Sequence, residues 1–497
     1  MGYKPHAPLG PLLIGYDPWR DLPEDHLARF VDSTVDNYAS VPESARGPGQ
    51  PQYDPRPLLK ILIYGYSTGV FSSRRLAQNC SESLPYMLLA REDRPCFKTI
   101  SAARVKYQEE LEWLWYCLFD AAIELGVPFV GKIAVDSCKF KADVSCESVI
   151  RKELYDSVLE KLRTILAQAE AADSVEDEEG LSVRSRTGVP AGSMHMREIL
   201  RSFKSDTPVK PADLSQKMLK RVEKAVATLE MAKEEGLSHV SLTDPEARMM
   251  ALGSRKTISM GHSLEAAAES GLLVHCEVVH QSSDNGRLPT IVESAKRNDP
   301  AGVNEAVADS GFFNGSDVLA LQDVGVKVVV PDSKTACDLK RKQAVGTTSG
   351  VVNREIVFKP VEGRNAFVCP QGNVLIQVKA WTRGGRRFRH YATKDPCTGC
   401  PLAGACLKRK GAKNRYFTVA EQGDRLQQYL SGFNDPEIQQ AYHQRGPSIE
   451  TVFALLRGII GFNQWHLRGD AVLAESALLS NAYQIRKLHK VWRSAQA

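Results

Sequence analysis

Residues 128–145 read PFVGKIAVDSCKFKADVS, and this segment sets the architecture. Its apolar residues 129–135 predict a buried β-strand that ends at Asp136. Outward from this strand, four more strands and two helices are predicted from the apolar patterning. The further strands are 257–268, 271–281, 304–313 and 326–331, and the helices are 286–298 and 316–325.

The order of these elements points to one fold. Three strands come first, with a helical insert after the first of them, and then helices and strands alternate. This is the element order of an α/β, ribonuclease H-like core, whose mixed five-stranded sheet is flanked by helices. In that topology the first and fourth strands lie side by side at the sheet centre. Because Asp136 ends the first strand and Asp309 ends the fourth, both carboxylates are expected at one edge.

A third acid lies in the late helical stretch YHQRGPSIETVFALLRGIIGF, residues 442–462. If this helix packs on the same edge, it adds Glu450 to the two aspartates. Three converging carboxylates repel one another unless cations neutralise them, and hard oxygen ligands suit Mg²⁺ or Mn²⁺. Two such ions about 4 Å apart activate a water or a 3′-hydroxyl in phosphodiester chemistry. The alternative for Glu450 is an ordinary surface salt bridge.

Other acids compete for the same role. Asp332 also follows a predicted strand, and Asp143 and Asp284 lie near the same elements. Spacing alone favours Asp309 over Asp332 only modestly.

Composition and pattern divide the chain into segments. Residues 53–115 predict three helices, of which the second opens with Arg74 and Arg75, so the unit is either a helix-turn-helix DNA reader or simple helical packing. Residues 150–240 predict a helical insertion with an acidic loop at 173–193. The expected segments are a helical DNA-binding domain (1–125), the first part of the core (126–149), the helical insertion (150–250), the continued core (251–335), a basic Cys-rich insertion (336–420) and C-terminal helices of the core (421–497).

Four cysteines predict a second metal site. CTGCPLAGAC supplies Cys397, Cys400 and Cys406, and Cys369 in FVCPQGN is the fourth. This spacing is typical of structural, tetrahedral Zn²⁺, with an iron–sulfur cluster or plain buried thiols as alternatives. Residues 379–415 around them hold eleven Lys or Arg against one acid. That charge suits a nucleic-acid backbone, and a solvated basic loop is the other interpretation.

Composition also limits the class of protein. The 497 residues contain no apolar run long enough for a transmembrane helix, and the first 21 lack the apolar core of a signal peptide. Eleven cysteines in such a chain favour thiols and metal ligands over a disulfide framework. We therefore expect a cytoplasmic protein that does not associate with membranes.

Several motifs together resemble the DDE transposases of bacterial insertion sequences, in the branch with an InsH-type N-terminal domain and a Cys-containing insertion. AVDSCKFKADVS (134–145) resembles the block around the first catalytic Asp and includes Lys139. LTDPEARMM resembles the TDPxAR segment, and VADSGFFN the block around the second Asp. RGPSIETVFALLRGIIGFNQWHLRG resembles the block around the catalytic Glu, with Tyr442, Arg445 and Arg457 as its accompanying residues.

Three features depart from the family pattern. Ser137 stands where Gly is common, and Arg457 stands where Lys is common, which changes the geometry of a phosphate contact. The segment GHSLEAAAE (261–269) replaces the usual GYNxQxAVD.

The resemblance implies an enzyme that binds terminal inverted repeats, cuts DNA there and joins the 3′-ends to target DNA. It implies that Asp136, Asp309 and Glu450 hold two Mg²⁺ or Mn²⁺ ions and that a homodimer or larger complex brings two ends together on the bacterial nucleoid. Contacts to DNA are expected from Arg74, Arg75, Lys139, Tyr442, Arg445 and Arg457. A binding-only derivative and a metal-dependent nuclease without strand joining are the alternatives.

Overall fold

The structure is a computed structural model of the chain. It describes residues 17–40, 53–91, 93–178, 196–205, 209, 214–253, 257–342, 358–361, 365–383, 386–407, 412–420 and 423–496. Within these residues, no helix is both long and apolar enough to cross a membrane.

The N-terminal segment is helical, as predicted, but two of the predicted helices are each split. Pro85 stands in the first turn of a new helix, because its ring suits a helix start and would break a helix interior. The other break is at Tyr107, where the sequence has neither the Pro nor the Gly that would predict the end of a helix. The helices are α1 (Pro18–Asp21), α2 (Leu27–Tyr38), α3 (Pro55–Ser67), α4 (Ser73–Glu82), α5 (Leu84–Ala90), α6 (Phe97–Lys106) and α7 (Gln108–Glu124).

A mixed sheet forms the centre of the molecule. Its strands are β1 (Lys132–Lys141), β4 (Arg248–Leu252), β5 (Thr257–Glu269), β6 (Leu272–Val279), β7 (Glu305–Ala308) and β8 (Lys327–Val329). The order across it is β6-β5-β1-β7-β8, and β4 pairs with the first part of β5. Strand β1 is antiparallel to β5 and parallel to β7, which is parallel to β8. The first and fourth strands predicted from the sequence are therefore neighbours.

Three details of the predicted sheet were wrong. The fourth strand ends at Ala308 and does not continue to residue 313. Strand β1 does not end at Asp136 but continues to Lys141, because Cys138 and Phe140 alternate inward where the continuous apolar run has stopped. A sixth strand, β4, lies in the LTDPEARMM segment, where no strand was predicted. Helices α11 (Leu288–Asn298) and α12 (Gly315–Asp323) connect β6 to β7 and β7 to β8, as expected.

One hydrophobic core joins the N-terminal helices, the sheet and the last helix, α18 (Ala471–Gln496). Glu475 of α18 is completely buried within it. Its carboxylate accepts hydrogen bonds from the Tyr66 hydroxyl at 2.8 Å and from the backbone N–H groups of His466 and Leu467 at 2.8 and 2.9 Å. This buried acid thus ties α3 to the end of the chain.

The helical insertion has a separate core. The short pair β2 (Val149–Arg151) and β3 (His239–Ser241) closes its base, and α8 (Tyr155–Glu178), α9 (Met196–Ser205) and α10 (Gln216–Glu234) form its body. The predicted loop at 173–193 was wrong for its first residues, because α8 continues to Glu178. Its remainder, 179–193, lies outside the described residues.

The Cys-rich segment forms a five-stranded antiparallel sheet, so it is not the solvated basic loop that its charge allowed as one interpretation. Its strands are β9 (Lys359–Pro360), β10 (Ala366–Val368), β11 (Val374–Arg383), β12 (Arg386–Thr393) and β13 (Tyr416–Ala420), with α14 (Ala403–Cys406) before the last. The other helices are α13 (Ser333–Lys340), α15 (Gly423–Ser431), α16 (Pro436–Arg445) and α17 (Thr451–Ala454). In sequence, α13 precedes the Cys-rich segment and α15 and α16 follow it. Helix α16 packs against β7 and β8.

Candidate active site

The two aspartates meet at the centre of the sheet. Val135 of β1 pairs with Ala308 of β7 in parallel register, so the next residues, Asp136 and Asp309, leave that pair side by side. Each carboxylate is fixed by a nearby backbone N–H: Asp136 Oδ1 accepts from Ser137 at 2.8 Å, and Asp309 Oδ1 accepts from Gly311 at 2.8 Å. This pairing was expected from the strand order alone.

The electrostatics of this pair are unfavourable without a cation. Burial, together with the nearby Asp309 carboxylate, raises the pKa of Asp136 to about 6, although Arg445 opposes this rise. A buried carboxylate beside a second one is the arrangement that a bound cation stabilises. The donor set of paired carboxylate oxygens fits a hard divalent ion such as Mg²⁺ or Mn²⁺.

Arg445 contributes positive charge to the pair. It is the last residue of α16, and its Nη1 lies 3.1 Å from Asp136 Oδ2. Tyr442, one turn earlier, lies beneath the guanidinium, with 6.0 Å between the Arg445 carbon and the ring centre. Burial raises the pKa of the Tyr442 phenol, and Asp309 and Asp136 add to that rise. Both residues therefore face the aspartates, although sequence alone could place them only near Glu450.

Glu450 lies apart from this ion pair. It ends a π-helical turn, Gly446–Glu450, and its side chain is exposed. Among the described residues, no three acids of this region bring their ligand atoms within 4.8 Å of one another. The π-helical turn follows Arg445 directly, so Glu450 lies five residues after the arginine that pairs with Asp136. A Cβ atom placed on Gly446 would lie 3.4 Å from Glu450 Oε1, so the carboxylate is folded back toward that end of the turn.

Asp284, which the sequence marks only as a competing acid, lies beside the aspartate pair. Its Oδ1 accepts a hydrogen bond from the Ser137 hydroxyl at 2.8 Å. Burial raises the pKa of Asp284, and the Asp309 carboxylate contributes to that rise. Lys139 lies on the outer side, with Nζ donating to the Ser282 carbonyl at 2.9 Å. The signal in the sequence was an acid shortly after a strand, in HQSSDNG.

The other competing acids have structural roles. Asp332 caps α13, where its Oδ1 accepts from the Thr335 N–H at 2.7 Å. Asp143 forms an ion pair with Arg468 at 2.8 Å. Neither joins the aspartate pair.

Arg457 also packs against the sheet. Its Nη2 donates to the Lys139 carbonyl at 3.0 Å, and its guanidinium lies 5.1 Å from the centre of the Phe140 ring. It therefore braces the second half of β1, on which Asp136 and Lys139 stand.

The residues that replace the usual family segment on β5 are accommodated in the fold. His262 Nε2 lies 3.0 Å from Asp244 Oδ2, and its Nδ1 lies 3.0 Å from His280 Nδ1. Glu269 accepts from the backbone N–H of Val130. The altered segment thus pairs normally with β1 along its length.

The four predicted zinc ligands come together at one end of the second sheet. The thiol of Cys406 lies close enough to Cys397, Cys369 and Cys400 for their charges to raise its pKa, an effect smaller than that of burial. Cys369 and Cys397 each begin a tight turn, with Gly372 and Gly399 at positive φ. No three of the described sulfur atoms lie within 4.8 Å of one another. The two turns are typical of zinc knuckles, but the distances between the sulfur atoms are longer than those between the ligands of a bound zinc ion.

Arg74 and Arg75 are exposed in the first turn of α4. The Arg74 guanidinium lies 5.0 Å from the centre of the Phe97 ring. Both side chains are accessible to a large partner.

Two family models match the chain. One, described as "Transposase domain (DUF772)", matches residues 19–106, and the other, described as "Transposase DDE domain", matches residues 368–489. Both models describe transposase domains, and the second implies a DDE-type enzyme. The DDE-domain match contains Glu450 and the four cysteines, whereas Asp136 and Asp309 lie outside both matched ranges. No curated protein matches the chain.

Proposed function

We propose that this protein is a DDE transposase that binds the terminal inverted repeats of an insertion sequence, cleaves DNA at those ends and transfers the 3′-ends to target DNA. The observation that carries the proposal is the aspartate pair, Asp136 on β1 and Asp309 after β7, at adjacent central strands. The order of the five main strands supports a ribonuclease H-like core for this chemistry.

The proposed metal ligands are Asp136, Asp309 and Glu450. When bound, two divalent ions such as Mg²⁺ or Mn²⁺ would supply the activated nucleophile and stabilise the leaving oxygen. Asp136 is near Asp309 and also forms an ion pair with Arg445, which neutralises part of its charge. Glu450 ends the π-helical turn that follows Arg445, and its exposed side chain would have to move toward the aspartate pair to bind the same ions.

The side chains around the acids would bind the DNA. Tyr442, Arg445 and Lys139 lie beside the acids, where a phosphate approaching the site would meet them. Arg74 and Arg75 are accessible on α4 for contacts with the repeats. Arg457 acts mainly through β1, because its guanidinium is engaged with Lys139 and Phe140.

The segment boundaries given above are proposed as working domains. The separate core of residues 150–240 supports the helical insertion, and the second sheet supports a distinct Cys-rich insertion. We also propose structural Zn²⁺ at Cys369, Cys397, Cys400 and Cys406, and a homodimer or larger complex, since two DNA ends must be joined.

The function can be tested on a duplex that carries the inverted repeats flanking the gene. Purified protein is incubated with this duplex and Mg²⁺, and nicking and joining to a second duplex are measured. The proposal predicts both products. Nicking without joining would indicate a nuclease, and binding without nicking would indicate a binding-only derivative.

A further inference from the structure

A second group of metal-binding side chains lies on the β5–β6 pair. Glu265 on β5 and Glu277 on β6 are direct cross-strand partners, and His275 lies two residues before Glu277. One ligand atom from each of these three residues falls within 4.8 Å of the other two. The group borders a cleft of about 450 Å³ between the sheet, α7, α11 and α18.

Only one of the two ring nitrogens of His275 has a hydrogen-bond partner among the described residues. Its side chain is 3% exposed, and its Nδ1 lies 2.9 Å from the Ser294 hydroxyl of α11. Its Nε2 is buried, and the described residues offer it no hydrogen-bond partner. An unpaired buried polar atom costs about 1–3 kcal/mol, so such an atom calls for a ligand. Metal-binding histidines are commonly held in this way, with one ring nitrogen hydrogen-bonded and the other free.

Charges of both signs surround the group. Arg287 donates to both oxygens of Glu265 at 3.0 Å and lies 3.4 Å from Glu277. The two carboxylates and Arg287 leave a net charge of −1 when His275 is neutral, and Arg297 on α11 brings a second guanidinium to the same cleft. Burial lowers the pKa of His275 to about 4, so the ring is neutral at physiological pH. Burial raises the pKa of Glu265, so Arg287 offsets only part of the cost of its charge.

The spacing of the atoms fits one ion. His275 Nε2 lies 4.0 Å from Glu277 Oε2, too far for a hydrogen bond. Zinc binds nitrogen and carboxylate oxygen at about 2.0–2.2 Å in a tetrahedral arrangement, which places two ligands of one ion roughly 3.4 Å apart, so a movement of about half an ångström by the Glu277 side chain would complete the geometry. Glu277 is 48% exposed and gives an ion access from solvent.

We propose that Glu265, His275 and Glu277 bind a first-row divalent cation such as Zn²⁺, which would fasten β5 to β6 beside α11. One nitrogen and two carboxylate ligands suit such a metal. Glu265 is the cross-strand partner of Ser137, so this site adjoins the aspartate pair, but its three ligands are different residues and it does not depend on the proposed function.

The test counts Co²⁺ ions bound by the full chain in equilibrium dialysis after removal of metals with a chelator. The wild-type protein is compared with His275→Gln and Glu277→Gln, and with His239→Gln as a matched control whose ring forms a hydrogen bond with the adjacent Ser238. We expect both test variants to bind one ion fewer at micromolar Co²⁺, with no loss of the sulfur-to-cobalt absorption of a cysteine site. We expect Ser294→Ala to weaken this binding by about tenfold.

Equal numbers of bound ions in the wild type and Glu277→Gln would overturn the proposal, even if His275→Gln failed to fold, since Glu277 is half-exposed. Asp136→Asn separates this site from the active site: it should leave the β5–β6 ion bound. If Glu277→Gln and Asp136→Asn removed the same ion, the proposed separate site would also be wrong.

Discussion

Asp136 is the residue around which the site is arranged. Its carboxylate accepts a hydrogen bond from the backbone N–H of Ser137 and lies near the Asp309 carboxylate. It also forms an ion pair with Arg445, which is 309 residues away in the chain. A carboxylate in such a position binds metal only while it carries its charge. Replacement by the amide keeps its shape and removes that charge.

We therefore expect Asp136→Asn and Asp309→Asn each to reduce Mg²⁺-dependent nicking by at least about a thousandfold, because bound metals supply both the nucleophile and the leaving-group stabilisation. DNA binding should persist or tighten, since negative charge is lost. The matched control is Asp332→Asn, where Asn also caps a helix well. A loss of nicking in the control equal to that in the site variants would contradict the assignment.

At this scale the sequence located Asp136 and Asp309, because each acid follows an apolar strand pattern. It could not give the Arg445 ion pair or the approach of Asp284, since these contacts depend on how distant elements pack. The position of Glu450 also escaped it, because an apolar helical pattern does not distinguish a π-turn from an α-helix.

The elements show a similar division. The alternation of helices and strands predicted the central sheet, whereas the half-exposed strands of the Cys-rich segment were missed. Those strands carry many charged residues, which obscure the alternation of buried and exposed side chains in the sequence. Leu375 and Tyr391 are among the buried ones.

The Cys-rich sheet is expected to depend on its metal. Cys397→Ser should lose about one bound zinc per chain and speed hydrogen exchange in residues 369–407, because a structural metal contributes folding free energy. Cys146→Ser, at an exposed cysteine of the helical insertion's base, should change neither. Metal analysis that finds neither zinc nor iron in the wild-type protein would contradict this prediction.

The end of α11 carries a pH-dependent contribution to stability. Burial raises the pKa of Asp299 to about 7, and a hydrogen bond with Glu269 contributes to that rise. An ordinary Asp titrates near 3.9, so the folded state holds this proton to higher pH than the unfolded state. The stabilisation is complete below about pH 4 and is lost as the pH rises through about 7.

Asp299→Asn should accordingly raise the free energy of unfolding at pH 8 by about 1 kcal/mol or more and give no gain at pH 4, since the amide is neutral at every pH. Urea unfolding at both pH values measures the difference. Asp323→Asn is the exposed control. An equal effect of Asp299→Asn at the two pH values would exclude the titration.

Across the whole molecule, one core links the N-terminal helices to the sheet and α18. DNA bound by α4 and DNA at the aspartate pair would therefore be held by one connected body of described residues. The sequence predicted an N-terminal helical unit, but not its shared core, because a shared core follows from contacts between the two ends of the chain.

Glu475 is the polar contact at that junction. Glu475→Gln should lower the free energy of unfolding by about 2 kcal/mol, because the amide cannot accept all the hydrogen bonds from Tyr66, His466 and Leu467. The exposed Glu223→Gln in α10 is the control. Equal thermal unfolding of Glu475→Gln and wild type would show that this contact does not stabilise the junction.

Anomalous diffraction from crystals containing Mn²⁺ and cleaved repeat DNA tests most directly whether Asp136, Asp309 and Glu450 form one metal site. We predict two Mn²⁺ peaks about 4 Å apart beside Asp136 and Asp309, with an oxygen of Glu450 coordinating one of them. Two filled metal positions with Glu450 still beyond coordination distance would contradict the role assigned to it, and no Mn²⁺ at the aspartates would contradict the site itself.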